Sequence, residues 1–134
     1  MGLDIIAGNI GFRAGSYSGF HEFREWLVQK IGYENFDDYW KKNEKQIGEF
    51  SHRNGMHKGV SKLSLGPLLC HSDCDGWIGP GNAKRLLEDL KDIKLNLEPI
   101  VDPSADEIWF REKLDDWIEA CGESVEGKLR IEFS

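Results

Sequence analysis

The sequence has no apolar run approaching the ~20 residues that carry a chain across a bilayer, and with a polar residue as early as Asp4 we expect no secretory leader. Cysteine is scarce and odd in number, with Cys70, Cys74 and Cys121 only. That excludes a fully paired disulfide framework and leads us to expect free thiols in a reducing cytoplasm. Basic residues are also outnumbered. Lys and Arg total 17 against 24 Asp and Glu, a net charge of −7. Long nucleic acid and anionic membranes both need a basic face, so neither is an expected partner. A small anion in a locally basic pocket remains compatible. No repeat or low-complexity tract is present.

What is present suffices for a core. The chain has 134 residues, is 40% hydrophobic and carries five Trp and seven Phe, which suits one ordered domain over residues 1–134. Leu3, Ile5 and Ala7 alternate with Asp4 and Ile6. Gly8-Asn9 follows, then Ile10 and Phe12 alternate with Gly11 and Arg13. This reads as a β-hairpin with a two-residue turn. Phe20, Phe23, Leu27 and Ile31 form a helical stripe, with Ser18 as its expected cap and Gly32 as its end. Phe36, Tyr39, Trp40 and Ile47 mark a second, more polar helix.

Pro80 suits the first turn of a third long helix, whose buried face is Ala83, Leu86, Leu87, Leu90 and Ile93. Pro99 and Pro103 bracket a linker. Ser104-Ala105-Asp106-Glu107 has the capping-box pattern before a helix lined by Phe110, Leu114, Trp117, Ile118 and Cys121, with Gly122 as the expected stop. Leu129, Ile131 and Phe133 alternate with charged residues as a closing strand. The expected fold is α+β, mainly helical, with a small antiparallel sheet formed by the N-terminal hairpin and the C-terminal strand.

Three segments carry chemistry. The first, His71-Ser72-Asp73-Cys74-Asp75-Gly76-Trp77-Ile78-Gly79-Pro80, concentrates a histidine, two carboxylates and a thiol. Its Asp-x-Asp-Gly-x-Ile core resembles part of an EF-hand calcium loop. In that register, however, His71 takes the first ligand position and Asn82 the place of the bidentate Glu, and neither suits a hard cation. Cys70, His71 and Cys74 lack the second Cys/His pair of a zinc site. His71 or Asp73 could transfer protons, but no diagnostic nucleophile accompanies them. Alternatively, Asp73 and Asp75 simply cap the helix that starts near Pro80.

The second segment, Arg13-Ala14-Gly15-Ser16-Tyr17-Ser18-Gly19, brings a guanidinium, hydroxyls and permissive backbone to a helix start. Helix N-termini favour phosphate or carboxylate. It lacks the Gly-Lys-Ser/Thr ending of a P-loop, and it reads equally as a plain strand-to-helix turn. His21 and Arg24 extend it by one turn. Tyr17 and Trp77 are the aromatic residues placed to stack on a ring. The third segment, Ser51–Lys62, holds His52, Arg53, His57, Lys58 and Lys62 without an acid. It reads as an exposed mobile loop, or as a basic lid over an anion.

Three motifs in order, Met1-Gly2-Leu3-Asp4-Ile5, Phe12 to Phe20, and Ser72-Asp73-Cys74-Asp75-Gly76 with Ile78-Gly79-Pro80, resemble a family of small uncharacterised proteins of bacteriophages and bacteria. The match spans residues 1 to about 90, and the chain departs from it at Trp77 and Asn82, where relatives are more often acidic. The resemblance implies no activity. It does imply a phage accessory setting in the host cytoplasm, in which sequestering a nucleotide defence signal without cutting it would be a fitting task.

The expectation is therefore a non-enzymatic binder of a small phosphorylated or nucleotide-like ligand, with no cofactor and no metal. Arg13, Ser16, Tyr17, Ser18, His21 and Arg24 would hold the anion, and Arg53, His57 or Lys58 would close over it. His71, Asp73, Asp75 and Trp77 would orient donors or stack. A homo-oligomer with the site between subunits is compatible with this. The alternatives are a metal-assisted hydrolase built on His71, Asp73 and Asp75, and a protein–protein inhibitor of a host factor.

Overall fold

The computed structural model describes residues 2–51 and 55–134. Strands β1 (Gly2–Ala7) and β2 (Ile10–Ser16) form the expected hairpin. Gly8 takes φ +60° at the turn, where an L side chain would be strained. Leu3, Ile5 and Ala7 are fully buried while Asp4 and Ile6 face out, so the period of two sets the register. The chain then runs through helices α1 (Tyr17–Lys30) and α2 (Phe36–Ile47). After them come the short strands β3 (Phe50–Ser51) and β4 (Met56–His57), a 3-10 turn (Val60–Lys62) and the single-turn helix α3 (Gly66–Leu69). Strand β5 (Trp77–Ile78), helices α4 (Pro80–Asn96) and α5 (Ala105–Gly127), and strand β6 (Ile131–Phe133) complete it.

The sheet is antiparallel in the order β2-β1-β6-β5. Both chain ends build it, as the alternating patterns imply. Helices α1 and α5 lie against it, and α4 packs on α5. At the centre the fully buried Trp117 of α5 meets Phe20 of α1, Phe133 of β6 and, edge-on at 5.3 Å, Phe12 of β2. Truncating such a buried aromatic typically costs about 3–5 kcal/mol.

Five local expectations are corrected. Strand β2 continues to Ser16, so it is Ser16 and not Ser18 that caps α1, its Oγ accepting from Gly19 N at 3.0 Å. Helix α5 passes through Gly122 and stops only at Lys128, which adopts φ 53°. Packing of Ala120, Cys121 and Ser124 against the core outweighs the ~1 kcal/mol cost of a helical glycine. Of the capping box at Ser104 only half forms: Ser104 Oγ accepts from Glu107 N, while the Glu107 carboxylate accepts from Trp26 Nε1 and Arg111 Nε. Gly79, not Asp73 or Asp75, occupies the N-cap of α4, without a side-chain bond.

The fifth correction concerns the basic segment. Its described part is pinned rather than an open loop: Gly55 N donates to Ser51 O, Lys58 N to Glu49 O and Gly59 N to Ile47 O. Met56 and Val60 are buried. A Cβ on Gly59 would run into the backbone of Gln46, so this glycine permits the close approach to the end of α2. Among the described residues no helix is long and apolar enough to cross a membrane.

Candidate functional site

Helix α1 presents His21 and Arg24 on one side, since residues three apart share a helical face. Phe36 and Trp40, four apart on α2, stand opposite. Phe50 and His57 from the β3–β4 hairpin form a third side, and the stretch from Leu69 to Asp73 forms the fourth. Together they enclose an open cleft of about 290 Å³.

Arg24 dominates its chemistry. It is only 8% exposed, and its position explains why: it follows Phe20 by four residues and precedes Leu27 by three, so it lies on the apolar stripe itself. The guanidinium rests on the Phe20 ring at 4.2 Å. Nη1 donates to Leu69 O at 3.2 Å and His71 O at 2.9 Å, while Nε has no partner among the described residues. Among the described residues no carboxylate makes an ion pair with it. Burial lowers its pKa from 12.5 to about 10, with the nearby Asp73 charge opposing that shift. Arg24 therefore carries a buried cation at neutral pH, with Asp73 nearby but, among the described residues, no carboxylate in direct contact, a state that is costly unless something neutralises it.

The remaining walls are aromatic and weakly basic. The His57 ring stands edge-on to Trp40 at 5.1 Å and to Phe50 at 5.2 Å. Its Nδ1 is 2.8 Å from Gly48 O, which can only accept. The proton therefore sits on Nδ1, and Nε2 is the nitrogen available to a ligand. His21 lies against Phe36, 3.5 Å from the Glu25 carboxylate. Burial pushes the Cys70 thiol up to about 12. Cys70 is thus a protonated wall residue and not a nucleophile.

The sequence-selected residues divide. The cleft collects His21, Arg24, His71 and Asp73, together with His57. Arg13 lies elsewhere, with its Nη1 3.4 Å from Asp4 Oδ1. Ser16 caps α1, Ser18 Oγ contacts Ser16 Oγ at 3.1 Å, and Tyr17 is exposed. Trp77 sits on β5 beneath the Arg130 guanidinium at 4.2 Å. Asp75 does not line the cleft. Lys58 pairs with Glu49 at 3.7 Å. Arg53 and His52 fall outside the described residues. Phe36, Trp40, Phe50 and Ser72 are lining residues that the sequence reading did not assign to a site. The signal available for two of them was the 36/40 spacing of large aromatics on an otherwise polar helix.

The metal-assisted alternative loses its histidine. His71 Nδ1 lies 2.9 Å from Ser72 O and Nε2 2.9 Å from Trp77 O, so neither nitrogen offers a lone pair to a cation. Among the described residues, no three His, Cys, Asp or Glu side chains converge as a ligand set.

Comparison with protein-family models, with curated proteins and with solved structures finds no match to this chain. What can be stated is the class: an α+β protein, mainly helical, with a small antiparallel sheet made from both chain ends.

Proposed function

We propose that this protein is a non-enzymatic receptor for a small phosphorylated or nucleotide-like ligand, bound in the cleft between α1, α2, the β3–β4 hairpin and the Leu69–Asp73 stretch. The observation that carries this reading is Arg24, a buried guanidinium with no carboxylate partner among the described residues, on the wall of an aromatic-lined cleft. An anion would neutralise that charge where water reaches it poorly. Phe36, Trp40 and Phe50 suit a ring attached to the anion, and about 290 Å³ suits a ligand of one ring system and one anionic group. The absence of an activated thiol at Cys70 favours holding over cutting.

The narrower reading, a phage accessory protein that sequesters a nucleotide defence signal, rests on the three-motif resemblance alone. The test is a thermal-shift series with sulfate, a nucleoside and the matching nucleoside monophosphate. The monophosphate should raise the melting temperature most, and chromatography should recover it uncut. Recovery of a cleaved product would overturn the non-enzymatic part. A melting temperature unmoved by every probe would return attention to the inhibitor alternative, for which the last turn of α4 and the α4–α5 connection offer exposed apolar side chains, Leu95 at 82% and Val101 at 91%.

A further inference from the structure

His71 is 4% exposed, and its ring lies flat on Phe133 of the C-terminal strand, with centroids 3.8 Å apart and planes 16° apart. Both ring nitrogens meet backbone carbonyls, Ser72 O and Trp77 O, each at 2.9 Å. A carbonyl oxygen only accepts. A neutral imidazole has one N–H and one bare lone pair, so it satisfies one contact and turns the other into lone pair against lone pair. The imidazolium donates to both. Those two carbonyls bracket the 72–77 turn, and Trp77 opens β5 at the edge of the sheet. On its other side the residue's own carbonyl accepts from Arg24 Nη1, and the next residue, Ser72, donates from N to Gly55 O. One ring thus ties the turn, the sheet edge and the cleft wall together.

We infer that His71 is a proton-dependent clasp: as the imidazolium it holds the 72–77 turn closed and fixes the carbonyl that positions Arg24, and loss of its proton loosens the turn and weakens anion binding. The second half rests on the anion-receptor reading; the clasp itself does not.

Among the described residues, these groups surround His71. Helix α1 contributes the Arg24 cation and His21, β4 contributes His57, and the chain around it contributes Cys70 and Asp73. Asp75 lies in the same turn, and Glu132 on β6 pairs in register with Trp77. From β6 itself comes the face of Phe133, which attracts a cation. Burial and Arg24 oppose the charge. The two carbonyls, Asp73 and the ring face favour it, and an anion in the cleft adds to the favourable side. Proton and anion therefore bind with reciprocal coupling. Under this proposal the clasp's stabilisation is present at low pH, where the imidazole is charged. It is lost as pH rises and the ring gives up its proton.

The test has two arms. In the ligand-free protein, 15N-histidine NMR should report both His71 nitrogens protonated at pH 7.5. A neutral His71 tautomer at pH 6.5 would overturn the clasp. In the second arm, calorimetry with sulfate, whose charge is constant across the range, is run from pH 6.0 to 8.5 on wild type and His71→Gln. Wild-type affinity should fall by about fivefold or more, in the usual range of site-to-site coupling, and His71→Gln should bind sulfate near the weaker, high-pH level of wild type with a flattened slope. Equal slopes in the two proteins overturn the coupling. Protonated His71 with no sulfate bound at any pH leaves the clasp standing, overturns its coupling to an anion, and counts against the receptor reading instead.

Discussion

Two stretches of this chain look equally ready for an anion, and the fold treats them in opposite ways. At Arg13–Gly19 some of the donors are engaged locally. Ser16 Oγ already accepts from Gly19 N at the head of α1, and Arg13 lies over Asp4. Around Arg24 the guanidinium keeps an unpaired Nε, no carboxylate partner among the described residues, and a cleft in front of it. The difference is one of leftover capacity. A helix start that caps one of its own N–H groups, beside an arginine that sits over a carboxylate, has less donor capacity and less net charge to offer. A buried cation whose hydrogen bonds among the described residues go to carbonyls keeps charge to offer a ligand. Donor-rich composition therefore identifies candidates, and the count of unspent donors selects among them.

The largest effect that would break this contrast is on binding. Arg24→Gln should weaken sulfate and nucleoside monophosphate by about 10- to 150-fold, equivalent to the ~1.5–3 kcal/mol of a charged hydrogen bond. Arg13→Ala should leave both within twofold or so, as expected for a surface change. Calorimetry on the pair measures the contrast directly, and equal losses would erase it. Next comes the aromatic wall. Trp40→Ala should cost a nucleoside monophosphate about tenfold, within the ~1–3 kcal/mol of ring stacking, while sulfate affinity stays unchanged.

The self-capped segment should instead register in stability. Ser16→Ala is expected to lower urea-unfolding free energy by ~1 kcal/mol with no change in affinity, whereas Ser18→Ala should cost under ~0.5 kcal/mol. The smallest signal is chemical. At pH 8 a thiol reagent should label Cys74 alone, because Cys74 is exposed while burial holds Cys70 and Cys121 near 12. Labelling of all three before unfolding would mean that the wall of the cleft opens readily.

Much of the fold was legible because its signals are local and repeated. The alternation of Leu3, Ile5 and Ala7, the Gly8 turn, the α4 stripe and the closing Ile131/Phe133 pattern all state a period and a face. The two-residue strands β3, β4 and β5 could not be read this way, since two residues state no period, and β5 exists only through a partner distant in sequence, Trp77 opposite Glu132. Gly122 misled for a related reason: local propensity marks a stop, and core packing carries α5 to Gly127.

The site was legible in part. His21, Arg24, His71 and Asp73 were selected by residue type, but the turn carrying His71 was weighed for its carboxylates. The feature that distinguishes it is the pair of carbonyls on the histidine ring, which depends on how residues 72–77 curl. Arg24 did leave a trace, a charged residue on the apolar stripe of α1, and its lack of a carboxylate partner emerges only in three dimensions.

The most direct measurement is an amide and arginine-side-chain NMR titration of the protein with sulfate. The account predicts that the Arg24 Nε–Hε resonance and the backbone amides of residues 70–73 shift together and saturate, while the amides of Tyr17, Ser18 and Gly19 stay in place. Saturating shifts at Tyr17–Gly19 with an unmoved Arg24 resonance would contradict it and return the anion to the start of α1.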